Sequence, residues 1–72
     1  MNKKAQYLIE GITKDLMEGY NENMTWAIAL FHNSETFEKL SNETSGLYIE
    51  SSAYVYDILE SEMKTRKIEQ AV

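Results

Sequence analysis

His32 and Glu35 stand three residues apart in His32-Asn33-Ser34-Glu35, the spacing at which one helix offers an imidazole and a carboxylate to a metal ion. A single such pair supplies two ligands, and the chain holds no second His and no Cys to complete a set. A partly exposed histidine at a helix end accounts for the pair more simply. Glu18 with Glu22, and Asp57 with Glu60, are the carboxylate pairs that general acid–base chemistry would draw on. That chemistry needs a cleft able to drive two pKa values apart, and a small core rarely leaves one. Solvated helix faces explain both pairs. No Ser lies in a nucleophile elbow, and Gly11, Gly19 and Gly46 are too scattered to cradle a phosphate. The expectation is a non-enzymatic protein with no catalytic, cofactor-binding or metal-ligating residue.

Charge placement says more. Seven Lys and Arg against twelve Asp and Glu leave 72 residues with a net charge of −5. The bases gather at the ends: Lys3 and Lys4 at one, Lys64, Arg66 and Lys67 at the other. From residue 5 to residue 60 ten acids face two bases, Lys14 and Lys39, so the body carries −8. Solubility explains such a surplus; complementarity to a basic protein partner is the sharper reading. A nucleic-acid backbone or an anionic membrane is not the default partner of such a chain. The alternative is a dimeric nucleic-acid-binding regulator whose phosphate-contacting edge is Lys64, Arg66 and Lys67, with Lys3 and Lys4. A short helix pair around Asn33-Ser34 has the outline of a helix-turn-helix. Its second helix, however, carries Glu35 and Glu38 against one Lys39, where DNA contacts want Arg, Lys, Asn or Gln.

Behind these residues stand elements that read as helical throughout. The chain has no Pro, and 43% of it is apolar, which places it in the globular class. Ala5, Leu8, Ile9, Ile12, Leu16 and Tyr20 share one helical face, predicting a helix from Lys3 to Glu18 or Gly19 that Gly19 or Asn21 ends in the left-handed conformation. Gly11 inside it is expected to let a neighbouring helix approach. A second helix opens at Asn23 or Thr25, with Met24, Ala27, Ile28 and Phe31 as its stripe and Trp26 and Leu30 widening it. His32-Asn33-Ser34 interrupts the stripe, and Ser34 can cap further turns carrying Phe37 and Leu40, so this segment is one kinked helix or two short ones. Residues 42–46 form a loop and Leu47-Tyr48-Ile49 an extended connector. The last helix starts at Ser51 or Ser52 and buries Val55, Ile58, Leu59 and Met63. Beyond Met63 the pattern fades, so residues 64–72 are expected either to fray or to be held in an oligomer contact.

The expected architecture is therefore a single all-α domain over residues 1–72, a small bundle of three main helices with the middle one kinked or split. Its predicted core is Leu8, Ile9, Ile12, Leu16, Ile28, Phe31, Phe37, Leu40, Val55, Ile58, Leu59 and Met63. The longest apolar run, Trp26 to Phe31, is six residues against the roughly 20 that span a bilayer. With no Cys and no export signal, the chain is expected to be cytoplasmic and free of disulfides. Tyr48, Tyr54 and Tyr56 fall within nine residues, and Tyr54 and Tyr56 lie about 200° apart around a helix, so one must face away from the core. Rings with one dry and one wet edge suit interfaces. Tyr48, Tyr54, Tyr56 and Met63 are thus the candidate interface of a homodimer.

The run Asn33-Ser34-Glu35-Thr36-Phe37-Glu38-Lys39-Leu40, followed by Gly46-Leu47-Tyr48 and Ser52-Ala53-Tyr54-Val55-Tyr56-Asp57-Ile58-Leu59, resembles a family of short, acidic, uncharacterised bacterial helical proteins. Tyr7-Leu8-Ile9-Glu10 and Met17-Glu18 with Tyr20 extend the resemblance over most of the chain, from Tyr7 to Met63. Relatives of this type lie in small gene clusters, some beside predicted toxin-like ADP-ribosyltransferases. The resemblance implies an accessory or antitoxin-like role. It supplies no catalytic residue to carry over.

Overall fold

The computed structural model describes residues 2–66, and among them all regular structure is helical. Helix α1 spans Lys3–Tyr20, α2 Met24–His32, α3 Glu35–Ser41 and α4 Ser52–Arg66. The middle segment is two helices rather than one, which makes four in all. Lys67, Ile68 and Val72 lie outside the described residues, as does the side chain of Arg66.

Each helix begins where a short polar side chain can take up free amides of the first turn. Asn2 Oδ1 accepts from the Lys4 N–H at 2.7 Å. Asn23 Oδ1 accepts from the Trp26 N–H at 2.9 Å, and Ser51 Oγ from the Tyr54 N–H at 3.2 Å. Asn21, with φ 53°, ends α1 in the left-handed conformation that asparagine tolerates. This places the stop at Asn21 and leaves Gly19 inside the helix.

The core joins Ala5, Leu8, Ile9, Ile12 and Leu16 of α1 to Ala27, Leu30 and Phe31 of α2, Leu40 of α3, and Val55, Leu59 and Met63 of α4. Phe31, its largest fully buried side chain, meets the half-buried Phe37 edge-on at 5.2 Å between centroids. Three expected core residues sit elsewhere. Ile28 is 39% exposed; Phe37 and Ile58 are half-buried. Helix α2 is apolar almost all round, so periodicity does not choose its inner face. The small Ala27 points inward, Leu30 and Phe31 follow it, and Met24 and Ile28 turn outward.

Two local expectations are corrected. Leu47–Ile49 is a 3-10 turn rather than an extended connector. Gly46, with φ 74°, turns the chain back so that the Ile49 and Glu50 N–H groups donate to the Gly46 and Leu47 carbonyls. Leu47 and Tyr48 then pack on the core and Ile49 faces solvent. The close approach expected at Gly11 occurs at Gly19. A Cβ at Gly11 would meet nothing within 4 Å, whereas one at Gly19 would lie 3.0 Å from the Tyr56 hydroxyl.

Candidate functional site: two grooves on one helix

Helix α1 is flanked by a groove on each side, and the two differ in chemistry. Toward α2, Ile9, Thr13 and Met17 of α1 face Met24, Ile28 and His32, and Glu10 and Lys14 complete the rim of a mainly apolar groove of about 460 Å³. Met24 is 56% exposed. Toward α4, Asp15, Glu18 and Gly19 face Ser52, Ala53, Tyr56 and Asp57 across a furrow of about 510 Å³. Asp15, Glu18 and Ser52 also line a wider cavity of about 820 Å³ that continues past Lys14, Glu10, Tyr7 and Lys4 to Ile49 and Glu50. Tyr7 and Ile49 are 78% and 62% exposed there. The α1/α4 furrow and the cavity that continues it thus hold five carboxylates (Glu10, Asp15, Glu18, Glu50 and Asp57) against two lysines (Lys4 and Lys14), with Tyr7 and Ile49 exposed among them.

Tyr56 closes the inner end of that furrow. Its hydroxyl is pushed up to about 12, by burial first and then by the carboxylate charge of Glu60, the neighbouring Tyr20, and Asp15. Tyr56 is therefore neutral at physiological pH. Beside it the Tyr20 hydroxyl donates to Glu60 Oε2 at 3.2 Å and lies 4.0 Å from Met63 Sδ.

The four candidate interface residues do not share a face. Tyr54 is exposed, as its opposition to Tyr56 required, but Tyr48 and Tyr56 pack half-buried against the core. Met63 is 2% exposed. It belongs to the core because it continues the Val55–Leu59 row one further turn. Of the four, Tyr54 is the exposed one.

The basic ends are also apart. Lys4 lines the cavity beside Glu50, Ser51 and Ser52, at the start of α4. Lys64 is exposed twelve residues further along α4 than Ser52, about 18 Å at the helical rise. Lys3 and Lys4 therefore do not join Lys64 in one edge within a chain.

His32 stacks on Phe37 at 4.2 Å with an interplanar angle of 23°. Among the described residues no group of three His, Cys, Asp or Glu is placed to hold a metal ion. Glu18 and Glu22 are separated by the helix stop at Asn21, so they do not form a pair on one helical face.

One constellation escaped the sequence reading altogether. Glu62 of α4 reaches the start of α3, where its Oε2 accepts from the Glu35 N–H at 2.7 Å and its Oε1 from the Thr36 N–H at 2.9 Å. The same Oε1 accepts from the buried Thr36 hydroxyl at 2.7 Å. Ser34 supplies the local half of this cap, its Oγ accepting from the Phe37 N–H at 3.0 Å and donating to the Phe31 carbonyl at 2.6 Å. The carboxylate is a structural clamp between helices, with its oxygens committed to backbone amides and a buried hydroxyl.

No helix among the described residues is long and apolar enough to cross a membrane. The chain matches no protein-family model, no curated protein and no solved structure.

Proposed function

We propose that the protein is a non-enzymatic interaction module that docks a basic protein segment along the α1/α4 furrow. The observation that carries this reading is the conjunction there of exposed Tyr7 and Ile49 with a surplus of acid, five carboxylates (Glu10, Asp15, Glu18, Glu50 and Asp57) against Lys4 and Lys14. Aromatic and aliphatic side chains supply contact area, and carboxylates steer and register a cationic partner. An antitoxin-like or accessory role, in which an acidic module covers a basic surface of another protein, is the biological form of this reading. A cytoplasmic site of action fits it.

The test is capture from an extract of the cells that make the protein, with and without nuclease and at two salt concentrations. Native protein should retain a stoichiometric basic partner after nuclease treatment. Asp15→Lys, Glu18→Lys and Asp57→Lys combined should lose it at least tenfold, because the three lie at the furrow and keep the core intact. Recovery of nucleic acid with a steep salt dependence, lost on reversing Lys64, would favour the alternative of a nucleic-acid-binding regulator. Retention of the same partner by the triple variant would overturn the furrow as its site.

A further inference from the structure

We propose that the α1/α2 groove is the surface on which a second copy of this chain docks, by a two-fold contact. The groove is apolar and open: Met24 and Ile28 stand exposed at its α2 side, and Met17 and Thr13 lie on its α1 side. Its charged neighbours decide the occupant. A chain of net charge −5, with a body at −8, repels a copy of itself over most of its surface. At this groove the charges are one acid and one base, Glu10 and Lys14, one helical turn apart on α1.

That arrangement is self-complementary, which is what a two-fold contact demands. An axis crossing α1 between the two residues sets Glu10 of each copy against Lys14 of the other, twice. It also brings the two exposed Met24–Ile28 ridges together, so that each covers apolar surface the other leaves open. A basic partner gains nothing at a neutral rim and finds three carboxylates, Asp15, Glu18 and Asp57, at the α1/α4 furrow, which no lysine lines. The α1 wall of the groove, Ile9 to Met17, is about 12 Å long at the helical rise. This is the small end of specific interfaces, so the contact belongs in the micromolar range or weaker.

The experiment is sedimentation velocity from micromolar to millimolar concentration on the full chain, with circular dichroism as the check on folding. Native protein should pass from 8.4 kDa toward twice that mass. Ile28→Glu and Met24→Glu, both at exposed positions, should stay folded and stay monomeric. Lys14→Glu alone and Glu10→Lys alone should each weaken association at least tenfold, by setting like charges across the axis. The double variant Glu10→Lys with Lys14→Glu should restore it, because the swapped pair is again complementary. A native protein that is monomeric throughout would overturn the proposal. So would a dimer that survives Ile28→Glu, or a charge-swapped double variant no stronger than its parents. The furrow variants at Asp15, Glu18 and Asp57 leave this groove untouched, so the two readings fail separately.

Discussion

The two sides of helix α1 use the same backbone to opposite ends. Toward α4, the helix presents acids at positions 15 and 18, and α4 answers with Asp57, so the charges reinforce one another around an open furrow. Toward α2, an apolar groove is rimmed by Glu10 and Lys14, which offset each other and also reach the cavity that continues the furrow. The fold reaches this contrast with one row of core residues, Leu8, Ile12 and Leu16, buried between the two faces. A helix whose inner stripe is well packed leaves both flanks free to specialise, and under the two proposals charge would sort which partner each flank accepts.

The largest test of the contrast is a pair of apolar truncations. Leu59, fully buried, holds α4 at the furrow, whereas Ile28 borders the groove at 39% exposure. Leu59→Ala should cost roughly 2–5 kcal/mol, most of the ~5 kcal/mol a domain this small has available. Ile28→Ala should cost less than about 0.5 kcal/mol in the monomer. Thermal melts of the two variants would show it; equal losses would place Ile28 in the core after all.

Next in size is the clamp that fixes α4 from its far side. Glu62→Gln keeps the shape but turns an amide NH2 toward the N–H donors of α3. It should cost about 1–3 kcal/mol, and amide exchange at Glu35 and Thr36 should speed up before exchange in α1. Unchanged exchange at those two amides would show that the local Ser34 cap suffices.

Tyr56 gives the furrow a pH signature. Its hydroxyl titrates at about 12 in the fold against 10.0 when unfolded. Stability from this group is therefore complete below pH 10 and is lost as pH rises through the folded value near 12. Phenolate absorbance should show one tyrosine titrating late, and Tyr56→Phe should remove that step. Its persistence in the variant would assign the late titration to another ring.

The smallest effects come from two glycines of α1. Gly11→Ala adds a methyl group in open space and should stabilise the helix by up to about 1 kcal/mol. Gly19→Ala must push the Tyr56 hydroxyl by a few tenths of an ångström, so its gain should be smaller or absent. Equal gains in the two melting temperatures would mean that the furrow's inner end is looser than its geometry implies.

Much of the local structure was legible in the residues. Caps at Asn23, Ser34 and Ser51 and the stripe of α1 depend on neighbours within a turn, and they stand where expected. The face of α2 was not legible, because Met24, Trp26, Ala27, Ile28, Leu30 and Phe31 leave no polar side to set its phase. The Glu62 clamp joins groups 26 or 27 residues apart and has no local signature at all. The opposition of Tyr54 and Tyr56 follows from helical geometry alone. Which ring packs inward follows from the face that α4 turns to the core, set by Val55, Leu59 and Met63.

The division of labour on α1 is tested most directly by the amide NMR spectrum under two perturbations. Titration with a lysine-rich amphipathic peptide should shift Asp15, Glu18, Ser52 and Asp57 and leave Met24 and Ile28 in place. Dilution without the peptide should shift Thr13, Met17, Met24 and Ile28 and leave the furrow residues in place. Two separate sets of shifts are the result this account predicts. One shared set, or a peptide that perturbs the α2 side, would contradict it.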